Sequence, residues 1–160
     1  MNNSYTLLSA TFFGLLGLQS IQLGQKSFVT QKVASAPISK ISYSTTGGRG
    51  GNTISLEITA TTLIYTKGHA GEEKTIRERT SRNLWSSLTR SINIKDFDRI
   101  KSNPGHAMYD GIDVTITVQV GRRSYTIVNG SEDEVNYKRI RSFVNILESQ
   151  LSRLDKKMNW

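Results

Sequence analysis

Hydrophobic and polar residues alternate along much of the chain, a spacing typical of β-strands with one buried and one solvated face. The clearest case is Ile112–Val120, where five β-branched apolar residues occupy every second position. Residues 73–80 alternate charged side chains with Thr and Ile, which predicts a polar edge strand that resists pairing with other chains. Alternation or β-branched content predicts further strands at residues 38–44, 53–59, 61–66 and 124–129.

Two other stretches place apolar residues at helical spacing. The first begins after Thr80 or Ser81, either of which is a suitable N-cap. The second follows the acidic residues 131–134, whose charge suits the start of a helix, and continues to Leu154 over about 20 residues. The buried stripe of the first helix is predicted to consist of Leu84, Trp85, Leu88 and Ile92.

The predicted elements follow one another as four strands, a helix, two strands and a second long helix. Each strand and helix must bury its apolar face against another layer, and this order is typical of an α+β fold. We therefore predict an antiparallel sheet of about five or six strands with two helices on one face. The domain is expected to span residues 38–155.

The N-terminal residues 1–25 contain no charged side chain, and their centre, Leu7–Leu18, is an apolar run. This run has the length of a signal-peptide core and falls short of the roughly 20 apolar residues of a transmembrane helix. The pattern predicts a signal peptide at 1–25 and a polar linker at 26–37; a buried N-terminal helix is the alternative. We expect an exported protein, periplasmic or extracellular, with no stable membrane span in its mature form.

Composition narrows the function classes. Hydrophobic residues make up 36% of the 160 residues, enough for a single modest core, and the absence of cysteine excludes disulfides and thiolate nucleophiles. The formal net charge of +8 makes polyanionic partners conceivable, such as nucleic acid or an anionic polysaccharide. A solvated basic surface that aids solubility is the simpler interpretation.

The stretch STTGGRGGN, residues 44–52, places four glycines around Arg49 between two predicted strands. A phosphate-binding P-loop needs Lys-Ser or Lys-Thr after its last glycine and a helix behind it, and a dinucleotide-binding loop also leads into a helix. Neither condition holds here, so the stretch is interpreted as a hairpin connection. The alternative is an exposed loop that presents Arg49 and backbone N–H groups to a partner.

Other arginines are dispersed along the chain rather than grouped in one segment. Arg122 and Arg123 lie in a predicted tight hairpin, and Arg139 lies on the polar side of the last helix. Together with Arg49 they are the candidate binding residues. Nucleic-acid binding would require such charges on one face together with exposed aromatic rings for stacking, and no such pattern is evident.

No catalytic or metal-binding constellation is apparent. The two histidines, His69 and His106, fall in predicted loops without the spacing of a metal site. Asp113 alternates outward on the strongest strand and is interpreted as a solvated structural carboxylate. We predict no catalytic residue, no metal and no cofactor, and expect that the protein is not an enzyme.

Four motifs follow one another between Ile38 and Leu154: TTGGRGG, LWSSLTRSINIKDFDRI, YDGIDVTITVQVGRRSYTIVNG and VNILESQLSRL. Their order resembles that of small bacterial β-sheet-plus-helix domains of unknown function and, more distantly, the emfourin-like inhibitors of thermolysin-type metalloproteases. The emfourin-like pattern has an Asp-Phe near the end of a helix, matched by Asp96-Phe97, and an Asp before a strong strand, matched by Asp110. The resemblance implies the same fold and, for the inhibitors, a protease as the partner.

Three functional hypotheses follow from the sequence. The leading one is an exported, non-enzymatic binding domain that contacts a partner, such as a protein, through its loops or the solvated face of its sheet. The second is a polyanion-binding module, whose affinity should fall steeply with salt. The third is an enzyme with a dispersed site, which would require a pocket lined by strongly perturbed titratable groups.

Overall fold

Six antiparallel strands form one sheet in the computed structural model, which describes residues 36–48, 51–69 and 71–158. The strands are β1 (Ile38–Gly47), β2 (Thr53–Ile58), β3 (Thr62–His69), β4 (Glu72–Arg79), β5 (Ile112–Val120) and β6 (Arg123–Val128). Their order across the sheet is β4-β3-β2-β1-β5-β6, so the charged strand β4 lies at an edge, as predicted. The described residues belong to one compact unit, Ala34–Trp160. Arg49, the predicted signal peptide and most of the predicted linker lie outside them.

Helical segments provide the second layer. The helices are α1 (Arg82–Ser91), α2 (Ile94–Phe97), α3 (Glu134–Tyr137) and α4 (Arg141–Lys157), with 3₁₀ turns at His106–Tyr109, Gly130–Glu132 and Lys138–Ile140. Of the two N-caps suggested for the first helix, Ser81 takes the role: its hydroxyl accepts the Leu84 N–H at 3.1 Å. The antiparallel sheet with helices confirms the predicted α+β fold class.

The hydrophobic core lies between one face of the sheet and the helices. Every second residue of a strand points to this face, and these residues are mostly apolar. The register places Ile41 opposite Ile58 and Tyr43 opposite Leu56 on β1 and β2. Phe97 and Phe143 meet edge to face, with ring centroids 6.5 Å apart. The fully buried side chains include Ile41, Leu56, Ile58, Leu63, Tyr65, Leu88, Phe97, Ile116, Ile140, Phe143, Leu147 and Leu154.

The opposite face of the sheet is polar and solvent-accessible, as the alternation predicts. Hydroxyl groups pair across neighbouring strands on this face: Thr66 with Thr75 at 3.0 Å and Thr117 with Thr126 at 3.0 Å. Lys40 and Glu57 form an ion pair there at 3.8 Å. Such exposed cross-strand pairs contribute only modestly to stability, so the buried face holds the sheet in place.

Two elements differ from the sequence-based expectation. Strand β3 continues through Gly68, beyond the strand predicted at residues 61–66, because this glycine fits closely between Thr53 and Glu73 on the neighbouring strands. A side chain at Gly68 would collide with the Thr53 hydroxyl. The predicted single long terminal helix is instead divided, and the uninterrupted part, α4, begins at Arg141. Ile140 marks the bend with φ −103° and ψ 9°, and its complete burial holds the chain there.

None of the helices within the described ranges is long and apolar enough to cross a membrane.

Candidate functional site

The two ends of the sheet are built differently, and each presents a candidate surface. Register places Gly47 opposite Ile112 at one end and Ile38 opposite Val120 at the other. The first end, here called the loop end, carries the β1–β2 connection and the segment before β5. The second, the turn end, carries the tight β5–β6 connection. Of the predicted binding arginines that the structure describes, Arg122 and Arg123 lie at the turn end and Arg139 lies in the helical layer.

Exposed apolar side chains are concentrated at the loop end. Met108 is 77% exposed, Tyr109 84% and Ile112 52%, all within five residues. We call these three residues the loop patch. Large apolar groups exposed together in this way are unusual on a monomeric surface and often mark an interaction site. The one other large apolar side chain that is equally exposed in the described part of the chain is Val135.

Asp113 holds the loop that carries this patch. Its carboxylate accepts the backbone N–H groups of Gly105 at 3.2 Å and His106 at 3.0 Å, and the Asn129 amide at 2.7 Å. The hydrogen bond from Asn129 and those from the backbone N–H groups lower the pKa of Asp113 below its ordinary value. The carboxylate thus stays charged and tied to the loop.

Asn129 is the buried partner in this arrangement, with 5% of its surface exposed. Its amide also donates to the Asn103 carbonyl at 2.8 Å, while its side-chain oxygen accepts the Val114 N–H at 2.8 Å. The residue adopts left-handed backbone geometry, φ 51°, which asparagine tolerates better than most residues. The hydrogen bonds of Asp113 and Asn129 therefore connect strand β5, the segment after α2 and the 3₁₀ turn that begins at His106. We call this pair the Asp113–Asn129 hub.

The glycine-rich connection packs directly on the same loop. The Gly48 N–H donates to the Gly111 carbonyl at 2.8 Å. Gly47 has φ 102°, and a side chain there would collide with the Gly111 carbonyl and with Ala107. At these two positions, glycine therefore permits close contact between two loops.

Neither histidine is placed with metal-binding neighbours. His106 Nε2 lies 3.1 Å from a Glu132 carboxylate oxygen, and the same carboxylate accepts the Asn103 amide at 2.5 Å. His69 Nδ1 lies 2.7 Å from the Asn52 side-chain oxygen. Over the residues whose placement is described, no group of three His, Asp or Glu side chains is arranged to hold a metal ion.

Three of the other groups with shifted pKa values, Tyr65, Asp155 and Glu78, lie in contacts that fasten α4 to the sheet. Burial, together with a 3.1 Å hydrogen bond to Asp155, raises the pKa of Tyr65 to about 12. A hydrogen bond from Lys67, 2.7 Å away, lowers the pKa of Asp155. Hydrogen bonds from Arg153 and Lys157 likewise lower the pKa of Glu78. These three pKa shifts arise from burial and from hydrogen bonds that join α4 to the sheet.

The described candidate arginines have different surroundings. Arg122 and Arg123 are both exposed beside the tight turn at Gly121. Arg139 lies in the helical layer, 3.6 Å from an Asp96 carboxylate oxygen that is also 3.8 Å from Arg99. Its charge is thus already paired, whereas neither turn arginine forms an ion pair within the described ranges.

An open groove of about 940 Å³ lies at the turn end, between the start of β1, the β5–β6 hairpin and the α1–α2 region. We call it the turn-end groove. Trp85 and Tyr125 are half-buried in its walls, and Arg90 and Lys95 are its charged members. Its remaining lining residues are Ala36, Pro37, Ile38, Thr89, Ile92, Asn93, Ile94 and Val120.

Sequence reasoning missed most of both surfaces. Trp85 has the helical spacing of a core residue, yet it is only half-buried and lines the groove. Asp113 has the alternation of a solvated strand residue, yet its carboxylate organises a loop. The one available signal for the loop patch was Met108-Tyr109 within a segment bounded by Pro104-Gly105 and Asp110-Gly111, since apolar residues in such a segment have no core to enter.

No known family of protein domains matches this chain, and no curated protein matches it. The resemblance to emfourin-like inhibitors therefore stays a prediction.

Proposed function

We propose that this chain is an exported, non-enzymatic binding domain whose partner is a protein contacted at the loop patch. The observation that carries the proposal is the exposure of Met108, Tyr109 and Ile112 on a segment fixed by hydrogen bonds. Exposed apolar and aromatic side chains supply most of the energy in protein interfaces. Holding them in place beforehand lowers the entropy lost on binding.

The fastening of the loop supports binding rather than catalysis. The Asp113 carboxylate accepts three hydrogen bonds that organise the loop, and this accounts for its lowered pKa. An enzyme's acid or base needs its reactive atoms free to meet a substrate. In this loop those atoms are engaged in holding the backbone.

The proposal is tested with the full chain immobilised and exposed to proteins from the exported fraction of its source cells. The wild type is compared with the Met108→Ser, Tyr109→Ser double variant. Val135→Ser is the matched control, because Val135 is 63% exposed and lies on α3. We expect one partner to bind the wild type and the control and to be lost from the double variant. Binding is then measured with that purified partner.

Retention of the same proteins by all three forms would contradict the proposal, as would retention of none above a blank surface. Inhibition of thermolysin by the wild type, lost in the double variant, would identify the partner as a protease and support the emfourin-like resemblance. Failure to inhibit would leave the partner to be sought among non-proteolytic exported proteins.

The second candidate function is polyanion binding, favoured by the exposed pair Arg122 and Arg123 and the net charge of +8. Retention on a heparin column should then fall steeply as salt rises, because bound counterions are released on association. Reversal of both charges should lower the salt concentration needed for elution. Elution at low salt, unchanged by the reversal, would remove this candidate.

A further inference from the structure

The turn-end groove has an aliphatic floor and aromatic walls. Ile38, Ile92, Ile94 and Val120, which come from β1, the α1–α2 region and β5, line the groove and are here called its aliphatic floor. A volume of about 940 Å³ is within the range of ligand sites. Filling such a groove with apolar side chains would remove their surface from water and stabilise a complex.

The two aromatic residues of the groove walls each carry a polar atom that is free to bind a ligand. Within the described part of the chain, the Trp85 indole N–H and the Tyr125 hydroxyl form no hydrogen bond, although both residues are half-buried. Neither atom is buried, since Thr80 Oγ1 is the one buried side-chain polar atom without a partner in the described part of the chain, so each can take a hydrogen-bond acceptor from a ligand. A ligand that brings acceptor atoms, such as backbone carbonyls or carboxylates, would provide one.

The charges at the groove are of one sign. Arg90 and Lys95 line it, and no acidic residue does. The Arg90 Nε donates to the Ser86 carbonyl at 3.2 Å, but among the described residues neither cation forms an ion pair with a carboxylate. Arg122 and Arg123 are both exposed and lie close in sequence to the groove, since Gly121 alone separates Arg122 from the lining residue Val120. The cations that fasten α4, by contrast, are matched by Glu78 and Asp155.

We propose that the turn-end groove binds an extended segment of a partner protein in which apolar side chains stand beside Asp or Glu. The apolar side chains occupy the aliphatic floor, while the carboxylates meet Arg90 and Lys95 at the mouth. Charge complementarity decides the sign of the ligand. The aliphatic floor favours apolar side chains over sugars, and the open shape would leave a lipid tail exposed to water. This site is separate from the loop patch and does not depend on it.

The first experiment selects ligands without assuming their sequence. Random peptides displayed on phage are panned against the full chain and, in parallel, against its Arg90→Glu, Lys95→Glu variant. The Lys138→Glu, Lys156→Glu variant is the matched control, because both residues are exposed, neither lines the groove and the change in net charge is the same. We expect peptides rich in acidic and large apolar residues, selected by the wild type and the control but not by the groove variant.

A selected peptide is then synthesised and its binding followed by the fluorescence of Trp85, with Trp160→Phe removing the other indole of the chain. Occupation of the groove should shift the emission. Affinity should weaken by at least about tenfold in the Arg90→Glu, Lys95→Glu variant, because attraction to two charges is replaced by repulsion. Circular dichroism confirms that the variants are folded.

Four results would overturn the proposal: no selection above a blank, selection of neutral or basic sequences, equal affinity in the groove variant, or unchanged Trp85 emission. Heparin oligosaccharides and dodecyl phosphate are the comparison probes. If either shifts Trp85 emission in a manner that depends on Arg90 and Lys95, while no peptide does, the groove binds a different class of anion. The Met108→Ser, Tyr109→Ser variant should still bind the selected peptide, which separates this test from that of the loop patch.

Discussion

The loop end and the turn end belong to the same sheet but achieve exposure of apolar groups by opposite means. At the loop end, the Asp113–Asn129 hub and the close Gly47 contact hold a protruding segment, and apolar side chains stand outward from it. At the turn end, the aliphatic groups line a concave groove, and nearby cations remain unpaired by carboxylates. A fixed protrusion suits insertion into a partner, whereas a groove suits receipt of a partner's side chains.

The two ends also differ in how much their residues contribute to the stability of the fold. Buried hydrogen bonds and backbone geometry make the loop end sensitive to single substitutions. Exposed charges at the turn end are worth little to folding. Substitutions at the loop end should therefore be costly for stability, and those at the turn end should affect ligand binding alone.

Asn129→Ala should have the largest effect, a loss of about 4 kcal/mol in the free energy of unfolding. It breaks the part-buried hydrogen bonds to the Val114 N–H and the Asn103 carbonyl and forces alanine into left-handed geometry. Chemical denaturation measures the loss. Asn129→Gly, which relieves the backbone strain but not the lost hydrogen bonds, should recover about 1 kcal/mol of it. A loss below about 1 kcal/mol in the alanine variant would show that the hub does not stabilise the loop end.

Gly47→Ala should come next, with a loss of about 2–3 kcal/mol, because its side chain meets the Gly111 carbonyl and Ala107. Gly51→Ala is the matched control. Gly51 also has positive φ, 62°, but a side chain there meets no atom within 4 Å. Gly51→Ala should therefore lower the free energy of unfolding by about 1 kcal/mol, from backbone strain alone. Equal losses in thermal or chemical unfolding would mean that close loop contact contributes nothing.

These two positions show what sequence patterns can and cannot supply. The sheet and α1 were predictable, because strand alternation and helical spacing record which side of each element meets the core. Gly47 was recognisable as a turn glycine, but the loop it packs against lies more than 60 residues away in sequence. The same limit applies to Asp113 and Asn129, whose pairing depends on strand register and on a left-handed backbone.

The turn-end groove was hidden for a related reason. Periodicity shows that Trp85 faces the protein side of α1, but it does not show whether another residue covers the ring. The groove exists because α1, the start of β1 and the β5–β6 hairpin leave a space between them, and that distance is a tertiary property. The Lys138–Ile140 turn was missed similarly, since the apolar spacing continues through it.

Acid should loosen the loop end before it affects the turn-end groove. The folded-state pKa of Asp113 is lowered, so its contribution to stability is present above the ordinary Asp pKa of about 3.9 and is lost as pH falls through the folded value. The protection of the Gly105 and His106 amides against exchange, relative to the intrinsic rate at each pH, should fall below about pH 4. Trp85 emission should change only with global unfolding. Asp113→Asn should remove the early step, and an early step that persists in this variant would assign it to another carboxyl group, such as Asp133, whose pKa is also lowered.

The smallest effects on stability are expected from the candidate arginines. Arg122→Glu with Arg123→Glu should change the free energy of unfolding by less than about 0.5 kcal/mol, because both side chains are exposed and form no ion pair. Arg139→Glu should cost somewhat more, up to about 1 kcal/mol, because it removes one of the two arginines paired with Asp96 and places two negative charges together. Denaturant unfolding measures the loss of stability in both variants and shows which is larger. If the turn variant were the more destabilised, its charges would be structural, and the contrast between a loop end built for stability and a turn end free to bind would fail.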